Sequence, residues 1–273
     1  MSSSLSSSPL GKATAYPSQY DASLLFTIDR AANRAQLTIP KEWHGQDIWT
    51  AYEISWLNRQ GKPMVAIGEF RIPWDSPKIV ESKSLKLYLN SFNDSSFESI
   101  KQVKQHIQTD LSAAVDAHVD VQLFQLQPYS GPLIHDLEGE NIDDLEVEIE
   151  HYSPEPTLLR CEEDAPVVFE CLYSDLLKSN CPETGQPDWG SIQIAYTGPK
   201  IDRASLLKYI ISFRRHTEFH EHCVERIYAD IQAQCAPKSL LVYARYTRRG
   251  GLDINPWRSS QRNHVATTRT PRQ

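Results

Sequence analysis

The residue with the clearest potential for chemistry in this 273-residue sequence is Cys181, in the polar stretch SNCPETGQPDWG at 179–190. A free thiol has a pKa near ~8.5, so a nucleophilic cysteine needs a base beside it at neutral pH. Asp188 is a candidate for that base, and once protonated it can return the proton to a developing anion. The alternative is that Cys181 packs as a small apolar residue, as most cysteines do.

The other cysteines predict neither a disulfide framework nor a cysteine-based zinc site. Five cysteines are present, an odd number, and no CxxC pair occurs. This favours reduced thiols. Cys171, Cys223 and Cys235 fall in predicted strands or helices and are expected in the core, whereas Cys161 is assigned no role.

A histidine cluster offers a second kind of chemistry. His216 and His220 are four residues apart, a spacing that suits a metal ion if both lie on one helix face, and Glu218 and Glu221 accompany them. However, HExxH is absent, and a helix break near Thr217 would separate the two histidines. A zinc site and a solvent-facing helix start both remain open.

Two basic segments could bind a phosphate group. The segment ESKSLK at 81–86 opens a predicted helix, where backbone N–H groups, hydroxyls and lysines bind anions. The segment RRGGLDINPWR at 248–258 has three arginines for a phosphate and two glycines that permit close backbone approach. Ordinary helix capping and a solvated hairpin turn are the alternatives.

Charge and composition exclude several classes of protein. The net charge of −7 argues against general nucleic-acid binding. The charge is uneven: residues 136–170 contain 13 acids and one base, whereas residues 245–273 contain seven arginines and one acid. Neither GxGxxG nor GxxxxGK[ST] occurs, so a Rossmann domain and a P-loop are unsupported. Without an apolar run of ~20 residues or a secretory leader, we expect a cytoplasmic protein.

The strands and helices that must position these residues are predicted in the same order in both halves of the chain. Alternation and helical spacing predict strands at 48–57 and 64–72, helices at 81–92 and 97–115, and strands at 119–127 and 145–150. The second half gives strands in APVVFECLYS and SIQIAY, helices in ASLLKYIISF and EFHEHCVERIYADIQAQC, and strands in SLLVYARYT and LDINPW. Each half therefore reads ββααββ, an α+β pattern.

An internal alignment supports duplication. Residues 68–86 and 190–208 align without gaps at an offset of 122, with seven identities in 19 positions. This alignment pairs Glu81 with Arg203 and leaves the Cys181 loop without a counterpart. Since each half then carries different candidate functional residues, we expect one composite site that draws on both halves. Two unrelated α+β segments with similar helix starts are the alternative. The predicted organisation is a disordered Ser-rich lead-in at 1–15, modules at 16–135 and 167–273, and an acidic linker at 136–166.

Four motifs, in order, resemble a known enzyme family. ESKSLKLYLNSF, SNCPETGQPDW, EFHEHCVERI and RRGGLDINPWRS are similar to those of the NADPH-dependent 7-cyano-7-deazaguanine reductases, the nitrile reductases of queuosine biosynthesis. The likeness, to the long two-module type, runs from about residue 15 onward. It implies tandem tunnelling-fold (ββααββ) modules with antiparallel sheets and helices on one face, assembled as a homodimer.

The resemblance also implies roles for individual residues. Cys181 would attack the nitrile carbon to form a covalent thioimide, and Asp188 would be the proton donor, with no metal required. The substrate would be bound by Val80, Glu81, Ser82, His220 and Glu221, and NADPH by Ser82, Lys83, Arg249 and Gly250. The 2′-phosphate of NADPH could meet any of Lys83, Lys86, Arg248 and Arg249.

The implied reaction converts 7-cyano-7-deazaguanine to 7-aminomethyl-7-deazaguanine, a step in making a modified tRNA nucleoside, with no direct nucleic-acid or membrane partner. Two other hypotheses stand beside it. One is a zinc-dependent pterin or purine hydrolase of the same fold, since GTP cyclohydrolase I shares that fold. The other is a tRNA- or nucleotide-binding module without catalysis.

Overall fold

The computed structural model describes residues 17–40 and 42–273, so the predicted lead-in at 1–15 lies outside the described residues. In chain order the elements are β1 (Thr27–Asp29), α1 (Ala31–Arg34), β2 (His44–Leu57), β3 (Pro63–Pro73), β4 (Lys78–Val80), α2 (Ser82–Asn90), α3 (Ile100–Val115), β5 (Asp120–Phe124), β6 (Glu140–Asn141), β7 (Val167–Ser174), β8 (Lys178–Asn180), β9 (Pro187–Pro199), α4 (Arg203–Ser212), α5 (His220–Cys235), β10 (Ser239–Tyr246) and β11 (Leu252–Ser259). Short 3-10 helices lie at Ala22–Leu24, Pro156–Leu158 and Phe213–Arg215.

The described chain divides into two compact units. Unit 1 contains residues 17–32, 47–131 and 248–253, and unit 2 contains the rest. Among the described helices, none is long and apolar enough to cross a bilayer.

Unit 1 is built on a sheet with the strand order β5-β3-β2 and a separate antiparallel pair, β1 and β4. The strands predicted at 48–57 and 64–72 are confirmed as β2 and β3, which are neighbours in the sheet and are joined by a turn at 58–62. Helix α3 packs against β5 and buries an apolar residue at every fourth position from Val103 to Val115, as an amphipathic helix does.

Unit 2 is built on a sheet with the order β11-β10-β9-β7-β6, and β8 forms a hairpin with the start of β9. Its pairs are antiparallel except the short parallel contact of β6 with β7. Helix α5 packs against β10. The predicted α+β class with antiparallel sheets is confirmed.

Two predictions of local structure, a strand at 145–150 and a single loop at 179–190, are wrong. The segment 145–150 is not a strand, because alternation alone gives no backbone partner and its three glutamates disfavour a strand. The stretch 179–190 is not one loop, because β8 and β9 pair on either side of a turn at 181–186. Their register could not be read from a sequence so rich in turn residues.

Helices α3 and α5 correspond residue by residue. Each has 16 residues and ends at a residue in the left-handed conformation, Asp116 with φ 55° and Ala236 with φ 44°. An offset of 120 superposes their buried positions: Val103, Ile107, Leu111 and Val115 match Cys223, Ile227, Ile231 and Cys235.

Helices α2 and α4 correspond at an offset of 121, one less than the sequence alignment used. Glu81 is the N-cap of α2 and Asp202 is the N-cap of α4. In both helices a serine hydroxyl three residues later donates to the N-cap carbonyl, at 2.7 Å for Ser84 and for Ser205. Pairing Glu81 with Arg203 was therefore wrong by one residue.

The Cys181 turn has a counterpart in unit 1, contrary to expectation. Cys181 N–H donates to Gln186 at 2.9 Å and its carbonyl accepts from Gly185 at 3.0 Å. Asn58 makes the same two bonds, to Lys62 and Gly61, at 2.9 and 3.0 Å. Gly185 and Gly61 both have positive φ, 66° and 75°. The unit 2 turn has one more residue, so an ungapped alignment could not match the two.

Candidate active site

The hairpin of β8 and β9 brings Cys181 and Asp188 to one face. Ser179 lies opposite Asp188 in the ladder, and Cys181, two residues after Ser179, continues the pairing to Gln186. Side chains two apart on a strand share a face, as do directly opposed residues, so extending the register by one pair beyond β8 places Cys181 diagonally across from Asp188. Asp188 is buried and Cys181 is partly exposed. A thiol and a carboxyl group on one face suit proton transfer between them.

His220 reaches the same carboxylate from another element. It is the first residue of α5, and its Nε2 lies 3.7 Å from Oδ1 of Asp188. The ring packs edge-on against Tyr246 from β10, with ring centres 4.1 Å apart. The imidazole is thereby fixed beside Asp188.

Glu221 lies buried in the first turn of α5, with 2% of its surface exposed. The partial positive charge at a helix N-terminus favours a carboxylate there. The N-cap residue, Phe219, makes no side-chain capping bond. A buried carboxylate at this place can accept hydrogen bonds from a ligand with paired N–H donors.

The predicted zinc ligands do not share a helix face. His216 follows a 3-10 helix and α5 begins only at His220, so the four-residue spacing spans a break. Burial, together with the nearby Arg226, lowers the pKa of His216 to about 4. In the described ranges, no three His, Cys, Asp or Glu side chains form a group that could hold a metal ion.

All five cysteines are free thiols. Cys223 and Cys235 are buried, which confirms their predicted core positions, and burial raises the pKa of each to about 12. Cys171 is only half-buried, at the edge of the core rather than in it.

Glu81 in unit 1 serves as a helix cap. Its carboxylate accepts from the N–H groups of Lys83 and Ser84 at 2.7 Å each, and 1% of its surface is exposed. Burial raises its pKa above the usual range despite these bonds. Val80, at the end of β4, is buried opposite Thr27. Because the Glu81 carboxylate already binds two N–H groups in the first turn of α2, an anion that binds at this helix end would be held mainly by side chains.

One of the side chains of α2, that of Lys86, approaches the turn formed by Gly250 and Gly251 in unit 1. Gly250 has φ 62°, and a Cβ built on it would lie 3.0 Å from Cε of Lys86. The neighbouring Arg249 donates its N–H to Leu252 at 2.8 Å, and the Arg248 guanidinium lies 4.0 Å from the centre of the Tyr52 ring. A Cβ at Gly250 would therefore require the end of the Lys86 side chain to shift.

The two units hold different sets of predicted residues. Unit 2 holds Cys181, Asp188, His220 and Glu221. Unit 1 holds Val80, Glu81, Ser82, Lys83, Arg249 and Gly250.

A cavity of about 900 Å³ in unit 1 surrounds the counterpart of the Cys181 turn. Asn58 occupies the place of Cys181, and Met64, one residue after a proline as Asp188 is, occupies that of Asp188. Ile100 occupies the place of His220. These three positions therefore carry no thiol, carboxyl group or imidazole.

Comparison with known proteins identifies the family. A family model described as "Nitrile reductase, 7-cyano-7-deazaguanine-reductase N-term" matches residues 16–123, and one described as "QueF-like protein" matches residues 187–265. A Bordetella avium (strain 197N) protein is 56% identical over 94% of this chain and 94% of its own. A Burkholderia multivorans (strain ATCC 17616 / 249) protein is 56% identical over 97% of this chain and 98% of its own. Both are named "NADPH-dependent 7-cyano-7-deazaguanine reductase".

This chain belongs to the family of NADPH-dependent 7-cyano-7-deazaguanine reductases. The family predicted from four motifs is confirmed. The relatives' names agree with the predicted oxidoreductase class and with NADPH as cofactor, and they give no support to a zinc-dependent hydrolase. The crystal structure of the apo archaeosine synthase QueF-Like is similar over 36% of this chain and 96% of its own, at 16% identity and a TM-score of 0.31.

Sequence reasoning missed a charged cluster at the second turn of α5 in this nitrile reductase family member. Arg34 and Arg258 both bind the carboxylate of Glu225, which is fully buried. Burial alone would raise the pKa of Glu225, but the two guanidinium groups hold it at about 2. Arg34 is 191 residues from Glu225, and no local pattern signals such a contact.

Proposed function

We propose that this chain reduces the nitrile group of 7-cyano-7-deazaguanine to the primary amine of 7-aminomethyl-7-deazaguanine, in the biosynthesis of queuosine. The observation that carries the proposal is the shared face of Cys181 and Asp188, with His220 3.7 Å from the Asp188 carboxylate. The family membership supports the substrate and the cofactor.

Cys181 begins the reaction. Asp188 accepts the thiol proton, the sulfur adds to the nitrile carbon, and one C–N π bond breaks as the C–S bond forms. Asp188 then gives the same proton to the nitrogen, which completes a covalent thioimide. A thioimide accepts a hydride more readily than a nitrile does, so covalent capture divides one difficult step into easier ones.

Asp188 and His220 form the proton-transfer pair in this proposal. Nε2 of His220, 3.7 Å from Oδ1 of Asp188, places a polar partner beside the carboxylate that accepts the thiol proton. The edge-on contact with Tyr246 holds the imidazole in place during that transfer. His220 also contacts the substrate, which lies next to both groups.

The substrate ring is oriented by Glu221. A deazaguanine ring presents adjacent N–H donors on its pyrimidine edge, and one carboxylate can accept both. Because the buried Glu221 would be left unsatisfied by a ring that lacks those donors, the site discriminates against such rings. Val80, Glu81 and Ser82 are the further substrate contacts.

The cofactor residues are those of the glycine turn and of α2. NADPH, when bound, supplies the hydrides, and two are required to take a nitrile to a primary amine. Arg249, Ser82 and Lys83 bind its polar groups, and the backbone of Gly250 approaches it closely. The end of the Lys86 side chain lies close to Gly250 and places a cation beside this turn, which supports this assignment.

The proposed architecture is two tunnelling-fold modules at 16–135 and 167–273, with the acidic linker 136–166 between them, and this linker contributes β6 to the sheet of unit 2. Matching helices α3 and α5, and matching turns at Asn58 and Cys181, support a tandem arrangement. We further propose a homodimer in the cytoplasm, without direct contact to nucleic acid or membrane. Light scattering tests the assembly: a mass twice that of the chain supports the dimer, and a single-chain mass contradicts it.

Stoichiometry tests the proposed reaction. Loss of NADPH absorbance is measured with limiting nitrile, and the product is identified by mass. The proposal predicts two NADPH consumed for each nitrile and an aminomethyl product. One NADPH for each nitrile, or no turnover, would contradict it.

A further inference from the structure

Glu225 sits one helical turn after Glu221 on α5, and two arginines from other elements bind it. Arg34, from α1, donates from Nε at 3.0 Å and from Nη2 at 2.7 Å, one bond to each carboxylate oxygen. Arg258, from β11, donates from Nε at 3.2 Å and from Nη2 at 2.7 Å to a single oxygen. Four charge-assisted bonds from two directions fix this carboxylate.

A tryptophan completes the cluster. Trp43 is buried, and the guanidinium groups of Arg34 and Arg258 lie 5.1 and 5.7 Å from the centre of its ring. The same ring packs against Tyr228 on α5, with ring centres 5.8 Å apart. Residues 33–46 are thus attached to α5 at its second and third turns.

The corresponding helix of unit 1 has no such cluster. At the offset of 120, the counterparts of Glu221 and Glu225 are Lys101 and Gln105, both exposed on α3. The two helices nevertheless bury the same four core positions. Packing of this helix against its sheet therefore does not require the charged cluster, which is found on the helix that carries His220 and Glu221.

We infer that Arg34, Glu225 and Arg258 are positioning residues that fix the first turn of α5 so that Glu221 presents its carboxylate to the substrate ring. The inference rests on the proposed function of Glu221. A carboxylate accepts two adjacent N–H donors at once only if its plane is held in place, and anchored neighbours one turn away restrict rotation of α5.

A double-mutant cycle on substrate affinity tests the inference. In the full chain carrying Cys181→Ala, calorimetry with 7-cyano-7-deazaguanine measures binding without covalent capture. Arg34→Gln and Glu221→Gln should each weaken binding about tenfold or more, the size expected for lost bonds to a charged group. If Arg34 acts through Glu221, the double variant binds no more weakly than Glu221→Gln alone.

Each result separates this inference from the proposed function. Losses that add in the double variant would assign Arg34 a purely structural role and overturn the inference. No loss in Glu221→Gln would overturn the proposed role of Glu221 itself. Arg34→Lys, which keeps the charge and loses the forked geometry, serves if Arg34→Gln does not fold; it should also weaken binding, and full affinity would contradict the inference.

A matched control excludes general destabilisation. Arg71 forms an ion pair with Glu69 in unit 1, and their side chains are 23% and 3% exposed, against 20% and 0% for Arg34 and Glu225. Glu69→Gln should lower the unfolding temperature and leave the affinity for the nitrile unchanged. An equal loss of affinity in Glu69→Gln would contradict a specific role for the cluster on α5.

Discussion

Nε2 of His220 lies 3.7 Å from Oδ1 of Asp188, although the two residues belong to separate elements, the start of α5 and the start of β9. The β8–β9 hairpin sets Asp188 beside Cys181, and the ring of Tyr246 holds His220 edge-on. A thiol, a carboxyl group and an imidazole thus converge in unit 2. In the proposed mechanism, these groups move one proton from sulfur to a substrate nitrogen.

Replacing Asp188 should stop proton transfer and leave the fold intact. Asp188→Asn keeps the shape of the side chain but removes its acid–base function, so kcat should fall by about 10²–10⁴-fold. Steady-state NADPH oxidation measures the loss, and circular dichroism checks the fold. Glu183→Gln, in the same turn, is the control and should be near normal. Near-normal turnover in Asp188→Asn would remove Asp188 from the mechanism.

A side chain at position 250 should weaken NADPH binding. Gly250→Ala places a Cβ 3.0 Å from Lys86, whereas a Cβ at Gly251 meets nothing within 4 Å. Both residues have positive φ, so each alanine should cost roughly 1 kcal/mol of stability. Only Gly250→Ala should raise the KM for NADPH. Equal KM values in the two variants would contradict close cofactor approach at Gly250.

The buried cluster on α5 should make stability sensitive to acid. The folded pKa of Glu225 is lowered to about 2 from a usual 4.5, so its contribution is present above about pH 4.5 and is lost as the pH falls toward 2. The free energy of unfolding of the native chain should exceed that of Glu225→Gln by roughly 3 kcal/mol less at pH 2 than at pH 4.5. Urea unfolding at pH 6 and pH 3.5 measures its onset. A pH-independent difference would contradict an ionised Glu225.

Glu81 should show the opposite dependence. Burial raises its folded pKa above the usual 4.5, so stability falls as the pH rises through that value and the carboxylate ionises in the folded chain. The stability difference between the native chain and Glu81→Gln should therefore be smaller at pH 7 than at pH 4. Urea unfolding of both proteins at the two pH values measures this difference. A larger difference at pH 7 would contradict a raised pKa for the buried Glu81 carboxyl group.

Local patterns predicted much of the fold. Alternation located the strands of the first hairpin, and apolar spacing located α3 and α5, because these signals depend on neighbours in the chain. The alternating segment 145–150 failed because pairing, not alternation, makes a strand. The repeat was visible in sequence, but a turn longer by one residue concealed the match between Asn58 and Cys181.

The sequence identified candidate residues for the site but not which of them lie in contact. Cys181 and Asp188 stood out by their loop and spacing, whereas the β8–β9 register that sets them on one face depends on backbone bonds the sequence does not show. The Arg34–Glu225 contact joins residues 191 positions apart, and only the fold brings them together.

Covalent capture by Cys181 is tested most directly by weighing the intact chain after mixing it with 7-cyano-7-deazaguanine in the absence of NADPH. Addition without a leaving group predicts a mass increase equal to one whole nitrile molecule, absent in Cys181→Ala. An unchanged mass in the native chain, or the same increase in Cys181→Ala, would contradict the account.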